Sequence, residues 1–147
     1  MKVAFDVHPL LNKQMTGIGY NAAFSIKTLI KNHAENEYIF EFFALRKLQE
    51  KLDIVQPYLK SNCSLNYSRL FTHELYKMVQ WLIPIPYQWF FGKKADVYHF
   101  FSFYLPPFVP GKKVLTVHDL TFKINAVRHR FNPLFTEFGI KMKQLLF

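Results

Sequence analysis

Apolar positions in this chain follow two rhythms. Short runs rich in β-branched and aromatic side chains, at residues 3–7, 38–45, 64–67, 96–101 and 114–117, read as five strands. Between them the spacing changes to that of helices. Ala22, Ala23, Ile26, Leu29 and Ile30 recur along one side of a segment, with Lys27 and Lys31 on the other. Leu48, Leu52 and Val55 share one side of residues 46–58, with Pro57 near the end. Phe71, Leu75, Met78, Val79 and Leu82 form a stripe that Pro84 and Pro86 terminate. Asn132-Pro133 supplies an N-cap and a first-turn proline for a last helix running to Phe147. Strands alternating with helices imply right-handed βαβ units, an α/β fold with a mostly parallel sheet flanked by helices. The sequence stops inside an apolar helix at Leu145-Leu146-Phe147, with no glycine cap, so a fragment of a longer chain is expected.

Composition narrows the class. Half of the 147 residues are hydrophobic and 18% are aromatic, enough for a packed core and too apolar for a disordered chain. Lys and Arg number 19 against 10 acids, a net charge of +9, so anions such as nucleotide phosphates or lipid head groups will be attracted. The single cysteine, Cys63, excludes an intramolecular disulfide. Asp6 and His8 interrupt the N-terminal apolar run too early for a signal peptide, and no window reaches 18 uninterrupted apolar residues. A cytoplasmic protein is expected, with peripheral contact at the inner face of the cell membrane as an option. The Lys and Arg residues are dispersed, without a nucleic-acid recognition pattern, so no nucleic-acid partner is expected.

Three features carry candidate chemistry. The strand at 114–117 ends in His118-Asp119, where open α/β sheets face their ligand crevice. The pair reads either as a capped strand end or as a substrate contact at His118 oriented by Asp119. Gly17-Ile18-Gly19 lies between a strand and a helix, where backbone amides favour an anion, and it serves equally as a turn. It matches neither a dinucleotide fingerprint nor a Walker A loop. His8 and His99 also stand near strand ends, as candidate crevice walls, yet no close ligand pair supports a metal site. Ser102 and Asp119 lack the Gly-x-Ser-x-Gly elbow of a hydrolase triad. The segment from Trp81 to Lys94, rich in Trp and Phe and closed by paired lysines, suits either a membrane interface or a helix packed on the sheet and followed by an aromatic turn. The core-like stripe ending at Leu82 favours packing.

Taken in order, these pieces resemble the N-terminal half of family 4 (group 1) glycosyltransferases of the GT-B fold. The resemblance rests on Thr16-Gly17-Ile18-Gly19, on the helix from Leu75 to Pro86, on Asp96-Val97-Tyr98-His99, on Leu105-Pro106-Pro107 and on Val117-His118-Asp119-Leu120, and it spans nearly the whole chain. It implies a Rossmann-like domain on the acceptor side of a retaining transferase. Such an enzyme moves sugar from a nucleotide-sugar donor to a polysaccharide, lipopolysaccharide or glycolipid acceptor, as in cell-envelope polysaccharide biosynthesis, with no metal or other cofactor. On that resemblance Gly17, Ile18 and Gly19 contact the donor, His118 touches the transferring sugar as the catalytic residue, and Asp119 supports the donor site. Tyr20 stands where the family often has a basic residue. The family's donor-binding domain, with its Glu-x7-Glu motif, has no counterpart in these 147 residues, so turnover by the chain alone is not expected. A reading from another class is a non-catalytic module that binds an anionic membrane or a protein partner through its basic and aromatic face.

Overall fold

The computed structural model describes residues 1–118 apart from Lys13, Phe103 and the side chain of Trp81. The last helix expected from Asn132 onward and the Asp119 position lie outside these residues. The chain divides into two units, Met1–Thr116 and Val117–Phe147.

The first unit is built on five strands: β1 (Lys2–Asp6), β2 (Glu37–Phe43), β3 (Cys63–Ser68), β4 (Val97–Phe100) and β5 (Lys112–Leu115). All pair in parallel, in the order β3-β2-β1-β4-β5. The expected α/β, Rossmann-like architecture is therefore present. From β1 the chain winds outward through β2 and β3, then returns to place β4 on the other side of β1. Helices α1 (Gly17–Asn32) and α2 (Leu48–Val55) pack on one face of the sheet and α3 (His73–Leu82) on the other. Right-handed crossovers require that split when the winding direction reverses. The reversal leaves a crevice at the carboxyl ends of β1 and β4.

Two cores result. On the α1 face, Val3, Phe5 and Val7 of the β1 segment and Tyr38, Phe40 and Phe42 of β2 meet Ala22, Ala23, Ile26 and Ile30. Paired alanines let α1 approach the sheet closely, and each buried isoleucine contributes roughly 2–3 kcal/mol. Tyr38 spans the strand and donates its hydroxyl to the carbonyls of Leu29 and His33, satisfying the end of α1. The α3 face is aromatic: Phe43, Tyr76, Tyr87, Phe90, Phe91, Tyr98 and Phe100.

Helix α3 turns a different side inward from the one its hydropathy selects. Tyr76 and Gln80 are buried, Leu75 and Val79 are half-buried, and Met78 and Leu82 are exposed. The stripe that pointed to core packing is in good part a solvent face. The cause is the ring of Tyr76, which stacks on Phe43 at 4.5 Å and meets Phe90 at 5.2 Å. Hydropathy counts tyrosine as semi-polar, but its ring area dominates when aromatic partners wait on the sheet. The helix expected over 46–58 shortens to α2 plus a single 3₁₀ turn at Gln56–Tyr58, because Pro57 cannot supply an amide to continue it.

Candidate functional site

At the end of β1 the strand turns directly into polar chemistry. Asp6 is buried, and its Oδ1 accepts the backbone amide of His8 at 3.2 Å and the ring Nδ1–H of His8 at 2.5 Å. The other ring nitrogen, Nε2, accepts the Phe43 amide at 2.9 Å. That bond fixes the proton on Nδ1, so both nitrogens of His8 are committed to the scaffold. His8 is thus a clamp between β1 and β2 rather than a free base. Burial works to raise the Asp6 pKa, but His8 overcomes it by charge and hydrogen bonding and the carboxyl titrates at about 2.

One strand over, Glu41 lies opposite Asp6 in the parallel register and is 1% exposed. Its Oε1 accepts from Asn66 Nδ2 at 2.9 Å. Burial pushes this carboxyl up to about 8, against the smaller opposing effects of hydrogen bonds from Tyr87 and Asn66. Neighbouring strands therefore carry one ionised and one protonated acid at neutral pH, held apart by environment.

His73 opens α3 after its N-cap Thr72, whose hydroxyl accepts the Leu75 amide at 3.2 Å. Its ring stacks on that of His8 with centroids 3.7 Å apart. Burial lowers its pKa to about 3, with His8 acting in the same direction, so His73 is neutral at pH 7. Asp6, His8, Phe43, His73, Tyr76 and Tyr104 are among the residues that line a small, half-open recess at this strand end, with room for about one water molecule.

The glycine loop meets the same segment from the other side. Thr16 caps α1, with its hydroxyl facing the Gly19 amide at 3.5 Å. A Cβ on Gly19 would stand 2.7 Å from the Pro9 carbonyl oxygen, so only glycine lets α1 start this close to the turn after β1. A Cβ on Gly17 would meet nothing within 4 Å, and Gly17 is exposed. Ile18 between them is half-buried. Pro9 follows His8 directly, so the glycine loop and the Asp6–His8 pair are built into one strand end.

The remaining candidates separate. His99 lies with Phe5 and Phe101 on the α1 side of the sheet, with its Nε2 2.7 Å from Thr116 Oγ1. It lines no wall of the recess. Burial lowers its pKa. His118 is half-buried and belongs to the second unit. Among the described residues no group of three or more His, Cys, Asp or Glu is arranged to hold a metal ion. No helix among them is long and apolar enough to cross a membrane. Sequence reasoning missed Glu41, His73, Tyr76 and Tyr104. Glu41 had a signal, a lone acid inside an apolar run; the other three had none beyond their residue types.

Comparison of the chain with protein-family models, curated proteins and solved structures gives no significant match.

Proposed function

We propose that this chain is the acceptor-side domain of a retaining, GT-B-type sugar transferase that draws on a nucleotide-sugar donor and elongates a polysaccharide, lipopolysaccharide or glycolipid. The observation that carries the reading is Gly19 pressed on Pro9, with Gly17 open, at the first turn of α1 beside the Asp6–His8 strand end. First-turn amides with no side chain in front of them suit the leaving diphosphate, whose negative charge grows as the glycosidic bond breaks. The reversal of winding beside β1 supports the reading, since open α/β sheets carry their ligand crevice at such a reversal. The roles of His118 at the transferring sugar and of Asp119 in the donor site rest on the motif resemblance.

The test is release of nucleoside diphosphate from a panel of nucleotide sugars by the intact polypeptide that carries this chain, isolated with its membranes. Gly17→Val should fold normally, since its Cβ meets no neighbour, yet lower turnover about tenfold or more by crowding the phosphate. His118→Ala should lower it likewise. Absence of release from every donor, or wild-type turnover in both variants, refutes the reading.

A second reading has its own observation. Met78, Leu82 and Ile83, along α3 and at its end, and Trp89 beyond it are 57% to 72% exposed. In a chain of charge +9, exposed apolar and aromatic side chains suit the boundary of an anionic membrane. This reading makes the domain a peripheral membrane module, whether or not it transfers sugar.

A further inference from the structure

The outward side of α1 is unlike that of an ordinary surface helix. Tyr20 and Phe24, one turn apart, are its largest apolar side chains, yet they are 66% and 72% exposed. Ala22, Ala23, Ile26 and Ile30 occupy the inward side, so the two rings are surplus to the core. Lys27 and Lys31, both exposed, continue the same stripe towards the end of the helix. At 3.6 residues per turn the four side chains fall within about 60° of arc and span about 16 Å along the axis. Gly17, also exposed, stands on that side at the first turn.

No acid of the helix offsets the two lysines. From Val7 to Ala34 the sequence holds no Asp or Glu, and the first acid beyond, Glu35, faces His33 at 3.3 Å. Lys27 lies over the Tyr58 ring at 4.9 Å, a contact that holds the ammonium at the surface without neutralising it. Two rings beside two such cations match a boundary that is apolar on one side and anionic on the other. Aromatic rings seat at the depth of lipid head groups, and lysines reach the phosphates. A soluble polyanion would satisfy the lysines, but it offers a phenylalanine ring less apolar cover than acyl chains do. The exposed residues of α3 match an anionic bilayer less well. Its one lysine, Lys77, is half-buried over the Tyr104 ring at 5.8 Å, and Glu74 stands exposed in its first turn. The two helices pack on opposite faces of the sheet, so a flat bilayer against α1 leaves α3 in water.

We propose that the outward side of α1, from Tyr20 to Lys31, docks on the surface of an anionic phospholipid bilayer. The hold is weak and reversible, because two rings and two cations bury little area. Docking brings Gly17 and the open first turn to the level of the head groups, which favours a glycolipid among the acceptors. That last step rests on the sugar-transfer reading. The docking does not, and its test is binding alone, so either can fail without the other.

The experiment is co-sedimentation of the full chain with phosphatidylcholine vesicles, with and without phosphatidylglycerol, at low and at high salt. Binding should need the anionic lipid and weaken as salt rises. Lys27→Gln with Lys31→Gln should lower it about tenfold or more. Tyr20→Ser with Phe24→Ser should lower it severalfold, and circular dichroism should be unchanged in both pairs, since all four side chains are exposed. Lys112→Gln with Lys113→Gln removes the same charge from β5 and should leave most of the binding in place. Phe24→Trp should show more fluorescence quenching by brominated lipid than the wild type. The proposal is overturned if the chain ignores the vesicles, or if the β5 pair weakens binding as much as the α1 pair. It is equally overturned if Leu82→Asp abolishes binding that the α1 variants keep, or if soluble polygalacturonate takes the α1 face and vesicles do not.

Discussion

Glu41→Gln should reshape the pH profile of stability without disturbing the fold. Glutamine has nearly the same shape as protonated glutamate, and its Oε1 can keep the Asn66 bond. Glu41 titrates at about 8 in the folded chain against an ordinary 4.5, so between those values the native state holds a proton that the unfolded chain has lost. Stability from this group is fully present below pH 4.5 and falls as pH rises, by about 1.4 kcal/mol per unit. His73 acts in the opposite sense. Its pKa falls from 6.5 to about 3, so between those values the unfolded state binds the extra proton and stability rises with pH at the same slope. From pH 4.5 to 6.5 the two slopes cancel, each worth about 2 kcal/mol over the interval. Above 6.5 only Glu41 remains. His99, also lowered by burial, adds to the His73 slope, so the wild type should be flat or rise slightly from pH 4.5 to 6.5 and lose about 2 kcal/mol by pH 8.5. In Glu41→Gln the His73 slope is exposed: stability climbs by about 2 kcal/mol to pH 6.5 and then levels. Urea denaturation across this range, followed by circular dichroism, reads both curves. Parallel profiles for the two proteins above pH 6.5 would show that Glu41 is not a protonated buried acid.

Three further outcomes follow from the packing. Gly19→Ala forces its methyl group against the Pro9 carbonyl and should cost about 1–3 kcal/mol in urea denaturation, whereas Gly17→Ala, with nothing near it, should change stability by less than about 0.5 kcal/mol; equal effects would contradict the close approach of α1. Phe43 touches His8, Tyr76, Phe90 and Phe91 with centroids at 4.5–5.6 Å, so Phe43→Ala should lose about 3–5 kcal/mol, and a loss below about 1 kcal/mol would mean that the aromatic face is not tightly packed. If α3 rests on membrane, co-sedimentation with anionic vesicles should weaken at high salt and drop severalfold in Leu82→Asp; sedimentation that is indifferent to both removes the membrane reading.

The sheet was legible because its signal is redundant. Each strand is a short apolar run bounded by turn residues, and the order of strands and helices admits little besides a doubly wound parallel sheet. Strand ends moved by a residue or two, as at β5, which starts at Lys112 rather than Val114. The inward face of α3 was not legible. A hydropathy stripe weighs Met78 and Leu82 above Tyr76, while the sheet rewards the side chain that stacks on Phe43. The strand-end site was half legible. His8 stood out by its position after β1, but its partners Asp6, Phe43 and His73 come from three elements separated by up to 67 residues, and only the parallel register brings them together. His99 packs and hydrogen-bonds away from the recess for a simple reason: along a strand, successive side chains face opposite sides, and one residue of phase puts its ring on the α1 face.

The electrostatics of this strand end argue for a division of labour between two neighbouring surfaces. The chain is strongly basic, yet the recess holds no Lys or Arg, and its one acid is hydrogen-bonded by a histidine whose other ring nitrogen is held by the Phe43 amide. His73 stays uncharged down to about pH 3 and Asp6 stays ionised down to about 2, so these two groups keep one charge state across the range in which Glu41 titrates. Glu41 is not part of that wall. An anion entering the recess would meet an acid and no cation, so a phosphate is better placed at the open first turn of α1. Capture of a phosphate by the open first turn of α1 should weaken as salt rises, because charge carries it.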